Sequence, residues 1–168
     1  MLYNIYRMES KEEFHVIKLI MEFANTRKEE IQKLRNISDI LEQHLLCIYY
    51  WRDTDYLNHW EGEVFGFIPK MRKVKGLNKY LSEPLIYENL FTDWYQTFYN
   101  DLRVDIQKLM LKEPNLPKIK NMDEYNVGNF LEDFYKVICH ELATKGVVEN
   151  GFLYRLIGNL LKKYPYTL

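Results

Sequence analysis

The sequence predicts an all-α fold, a single-domain bundle of about six helices, from three observations. Apolar residues recur at steps of three and four in the long segments. Residues that start and stop helices stand at the segment edges. Strand-like alternation is absent from every long segment. The heaviest apolar stripe runs through residues 84–112, where Leu90, Trp94, Phe98, Leu102, Ile106 and Leu109 share one helical face and Tyr87, Phe91 and Tyr95 widen it. A long central helix over 84–112, covered by other helices on more than one side, is the expectation.

The remaining elements follow in chain order. Residues 1–8 form an apolar tail too short to classify. Ser10 with Glu13 reads as a capping box before Phe14, Ile17, Ile20, Met21 and Ala24. Thr26 with Glu29 repeats the device before a second helix whose Ile31, Leu34, Ser38, Leu41, Leu45 and Ile48 follow seven-residue spacing. A polar break at 51–55 offers Asp53, Thr54 or Asp55 as a cap for a third helix carrying Leu57, Trp60, Val64, Phe67, Ile68 and Met71. Gly62 and Gly66 weaken that helix, and Pro69 predicts a kink or an end near Phe67. Gly76 marks a stop, residues 77–81 a connector, and Glu83 before Pro84 the start of the long helix.

Pro114 and Pro117 make 113–121 a loop and the one candidate hinge, although the helices beyond it are too few for a separate core. The domain is therefore 1–168 throughout. Phe130, Leu131, Phe134, Val137, Ile138 and Leu142 define a helix that ends at Lys145 and Gly146. Asn150 reads as the cap of a last helix, with Phe152, Leu153, Leu156, Ile157, Leu160 and Leu161, halted by Pro165.

Composition narrows the function classes. A formal charge of −1 gives no whole-molecule field for nucleic acid or an anionic membrane. Cys47 and Cys139, the only two cysteines, fit a reduced, cytoplasmic setting. Residues 1–7 lack the pattern of a secretory signal, and no stretch has the length and apolarity of a membrane span. Fourteen tyrosines are a surplus that suits both core edges and wet interfaces.

Three constellations carry residues capable of chemistry. His44 and Cys47 share a helical face and, with Cys139 and His140, supply the donor types of a tetrahedral zinc site. Adjacent Cys139 and His140 diverge by about 100° on a helix, so two core cysteines and two edge histidines are the better reading. Asp93, Asp101 and Asp105 repeat at multiples of four and, joined by Glu61 or Glu63, offer the carboxylates of a metal-dependent bundle hydrolase. Arg103 and Lys108 stand close enough to soften the repulsion, and a solvated polar face accounts for the acids. Lys70, Arg72, Lys73, Lys75 and Lys79, with Tyr80, form a basic run able to contact phosphates and stack on a base. Gly76 and Pro69 interrupt it, which disfavours a recognition helix.

With no catalytic, cofactor or metal residue singled out, the reading is a non-enzymatic module that binds another protein or itself. Its candidate interface is Tyr49, Tyr50 and Trp51 with Tyr87, Phe91 and Tyr95. The alternatives are a nucleic-acid accessory protein using 70–79 and a metal-dependent hydrolase.

Overall fold

A computed structural model describes residues 28, 29, 32, 33, 36, 37, 39–73 and 102–168, apart from the side chains of Met71, Arg72, Cys139 and Ala143. These residues are helical in five segments and contain no strand, so the all-α class holds. The segments are α1 (39–50, with the described positions from 28 to 37 also helical), α2 (Leu57–Arg72), α3 (102–112), α4 (Glu124–Lys145) and α5 (Asn150–Lys163). The expected capping boxes at Ser10 and Thr26, the stop at Gly76, the connector at 77–81 and residues 84–101 of the long helix lie outside the described residues.

Ring contacts set the helix directions. His44 meets Phe67 at 5.1 Å and Trp51 meets Trp60 at 5.7 Å, so α1 and α2 form an antiparallel hairpin turned at 51–56. Thr54 does not cap α2 with its side chain; its hydroxyl donates back to the Trp51 carbonyl at 2.7 Å and tightens the turn. Phe65 meets Tyr154 edge-on at 4.3 Å, which brings α5 alongside α2. Asp133 meets Lys163 at 2.7 Å, which folds α5 back on α4. α3 lies against α1, where Lys112 donates to Gln43 at 3.4 Å. The loop after α3 then climbs along α1, since Trp51 Nε1 reaches the Pro117 carbonyl at 2.8 Å.

Residues 45–51, seven in succession, are all buried. A surface helix buries one stripe only, so this end of α1 is enclosed on every side. α3 behaves as an ordinary amphipathic helix, with Leu102, Ile106 and Leu109 buried and the opposite side in solvent. Leu153, Ile157 and Leu160 of α5 and Val127, Phe130, Leu131, Phe134, Ile138 and Leu142 of α4 complete the core.

Two boundary expectations require correction. Of the kink or end expected near Phe67, the end does not occur: α2 runs through Pro69 to Arg72. Its buried Trp60, Val64, Phe67 and Ile68 hold the helix against the core despite the lost backbone donor. Asn150 is the first helical residue of α5 and not its cap; Glu149 takes the cap position in an extended conformation, and its carbonyl accepts from Leu153 N–H at 3.0 Å. The far end of α4 follows the sequence reading, with Gly146 at φ 69° sending its N–H to the Leu142 carbonyl at 3.0 Å.

Candidate interaction surface

The expected contact patch divides in the structure. Tyr49, Tyr50 and Trp51 are fully buried, which makes them core members and corrects their assignment to an interface. They end α1 at the point where the 113–123 loop and the chain terminus both cross it, so their rings are covered from two directions. Tyr49, Tyr50 and Tyr166 touch one another with centroids 5.0–5.4 Å apart. Their hydroxyls bind three successive residues: Tyr166 donates to the Asn121 carbonyl at 2.9 Å, Tyr50 to the Met122 carbonyl, and Tyr49 to Asp123 Oδ2 at 2.7 Å. Burial, followed by the hydrogen bond to Asp123, raises the Tyr49 phenol above its ordinary pKa and keeps it a donor.

Asp123 itself sits at φ 46° in the left-handed region, a conformation that short polar side chains tolerate. Its carboxylate is turned toward Tyr49 and Asn126 and does not cap α4. Arg52 closes the cluster from the other side. Its Nε donates to the Tyr49 carbonyl at 2.9 Å, and Nη1 donates to the carbonyls of Leu161 at 2.7 Å and Tyr164 at 2.8 Å. The cation thereby satisfies acceptors at the carboxyl end of α5, where the helix dipole favours positive charge.

Tyr87, Phe91 and Tyr95, the other half of the expected patch, lie outside the described residues. So do Lys75, Lys79, Tyr80, Asp93 and Asp101. Of the basic run, Lys70 and Lys73 are exposed, and Lys70 Nζ rests 4.4 Å from the Phe67 ring centroid. His44 Nδ1 is 2.8 Å from the Ile40 carbonyl, Cys47 is buried and His140 is exposed. Among the described residues, no group of three or more His, Cys, Asp and Glu side chains is placed to hold a metal ion. Asp105 is tied to Lys108 at 3.2 Å, Glu63 is exposed, and Glu61 is buried with its carboxyl pKa raised by desolvation.

Exposed apolar groups lie elsewhere: among the described residues Tyr56, Val147, Tyr154 and Leu168 are scattered over other elements, whereas Ile40, Val104, Leu111 and Tyr125 gather around α3. Leu111 is 81% exposed and Val104 46%; seven residues apart, they share the outer side of the helix within about 20°. Arg103 approaches Glu124 at 3.9 Å, which brings the amino end of α3 beside Tyr125, itself 76% exposed. The Lys112 to Gln43 hydrogen bond brings the carboxyl end toward the Ile40 turn of α1, and Ile40 is exposed too. The sequence held a signal for this set: Val104 and Leu111 are out of phase with the Leu102, Ile106 and Leu109 stripe, so an amphipathic helix cannot bury both groups on one side. Among the described residues, no helix is long and apolar enough to cross a membrane. The chain matches no protein-family model, no curated protein and no solved structure.

Proposed function

We propose that this chain is a non-enzymatic helical module that works by binding another protein or a second copy of itself. The observation that carries this reading is the outward placement of Leu111 and Tyr125 on adjoining helices, 81% and 76% exposed. Removing a large apolar side chain from water yields roughly 1.5–3 kcal/mol when its burial is complete, so a few such groups support a stable contact. The polar groups grouped around the end of α1 also support it: Tyr49, Tyr50, Arg52 and Asp123 spend their hydrogen bonds on fixing the loop and the terminus.

Photo-crosslinking tests this reading. A photoreactive residue at position 111 or 125, introduced in cells expressing the chain, should give discrete adducts. The same residue at exposed Lys162 on α5 should give few. Equal labelling at all three positions, or none at 111 and 125, would remove the reading.

A further inference from the structure

Asn150 is the only asparagine of the chain that precedes a glycine. A Cβ on the following residue hinders approach to its main-chain nitrogen, and Gly151 has none. Both residues are exposed at the start of α5, whereas Leu153, the first buried residue of the helix, is held in the core beyond them. The Gly151 N–H is one of the first four in the helix, which have no acceptor within it. Glu149 takes the cap position without a side-chain hydrogen bond, and the first turn carries no acidic residue, so α5 lacks the devices that fix a helix start. Arg155 completes the setting: its Nη1 lies 3.6 Å from where a Cβ on Gly151 would stand.

We infer that Asn150 is a site of spontaneous covalent modification, at which its side-chain amide becomes a carboxylate through a ring closed on the Gly151 nitrogen. Helical geometry keeps that nitrogen off the line of attack, so the first turn must open and let the Asn150 backbone rotate. Water or hydroxide takes the Gly151 amide proton, and the nitrogen's electron pair forms a bond to Asn150 Cγ. The Cγ–Nδ2 bond breaks, and Nδ2 leaves as ammonia with a proton from water. The cyclic imide then consumes one water. Hydrolysis at Cγ gives aspartate; hydrolysis at the main-chain carbonyl gives isoaspartate, in which the chain runs through the side-chain carbon. Negative charge forms on the attacking nitrogen, passes to the oxygen on Cγ and persists in the product. The positive end of α5 and the Arg155 guanidinium favour it at each stage. The aspartate form suits the helix start, while isoaspartate, with an extra atom in the main chain, unseats the first turn.

The test ages the full chain in its folded state at mildly basic pH, digests it and follows the peptide containing Asn150 by mass analysis. Chromatography against synthetic standards separates the aspartate and isoaspartate products. Conversion at Asn150 should exceed that at every other asparagine and rise with pH. It should also proceed within about tenfold of its rate in the denaturant-unfolded chain, because a helix end opens at almost no cost. Gly151→Ala should slow conversion at least about tenfold while keeping the fold, since the new Cβ meets only the far end of Arg155 and alanine favours a helix. The same slowing should appear when both chains are unfolded, so a folding defect in the variant cannot hide the result. No conversion at Asn150, conversion confined to the unfolded chain, or a Gly151→Ala variant that reacts as fast as the parent would overturn the inference.

Discussion

The Tyr49 hydroxyl and the Asp123 carboxylate, 74 positions apart in sequence, are joined by a 2.7 Å hydrogen bond at the point where the loop turns into α4. Tyr49→Phe removes that donor without changing the ring. Asp123 keeps Asn126 at 3.2 Å as a partner, so the cost should be about 1.5–3 kcal/mol, the range for a bond to a charged group, and not a collapse. Urea unfolding of the variant checks this.

Tyr50 was a candidate contact residue from sequence, and its burial gives the opposite expectation. Tyr50→Ala should destabilise the fold by about 3–5 kcal/mol through the cavity left among Tyr49, Tyr166 and Met122. A variant unfolding at the same urea concentration as the parent would mean the ring is not enclosed.

Arg52 holds three carbonyls from two parts of the chain. Arg52→Met should cost about 2–4 kcal/mol, and Arg52→Lys somewhat less, because an ammonium keeps the charge without the planar fork. Hydrogen exchange should rise selectively over 161–166 in both variants. A uniform change across the chain would contradict the clasp.

Two carboxyls give opposite pH effects. Burial pushes Asp133 up, but hydrogen bonds from Lys163 and Tyr164 outweigh it and hold the group below the usual range. Its stabilising contribution is present above the unfolded pKa, about 3.9, and is lost as pH falls through the lowered folded value. Asp133→Asn should therefore flatten the acid side of the stability profile. Burial alone raises Glu61, so its favourable contribution exists in the protonated form and disappears as pH rises through the raised value. Glu61→Gln should be more stable than the parent at neutral pH, with the gain vanishing in acid. A gain of equal size at both pH values would refute the sign.

Cys47 should be inert in the native protein. Burial first, and then Glu113, push its thiol up to about 12. Alkylation at mildly basic pH, followed by mass analysis of the peptide containing Cys47, should show modification only after denaturation. Rapid native labelling would show that the thiol is accessible.

What the sequence made legible follows from what periodicity encodes. A 3.6-residue period reports that a helix has a buried stripe, and it placed α4, α5 and the Gly146 stop correctly. It says little about a segment buried on every side, because 45–51 are apolar at almost every position and show no stripe to count. Tyr49, Tyr50 and Trp51 looked like surplus aromatics for that reason. Their enclosure depends on Pro117, Met122 and Tyr166, brought in from far along the chain. Of the kink or end that Pro69 suggests by local propensity, the end does not occur, because burial of Phe67 and Ile68 carries the helix past it. Val104 and Leu111 were readable as residues out of phase with the buried Leu102, Ile106 and Leu109 stripe.

The division between an enclosed α1 end and a free α3 side is tested most directly by equilibrium unfolding of Leu111→Gln, which keeps helix propensity and adds no charge at the end of α3. A leucine 81% exposed should be replaced at a cost within about 0.5 kcal/mol, leaving the urea midpoint near that of the parent. A loss of about 2 kcal/mol or more would place Leu111 inside the fold and contradict the account.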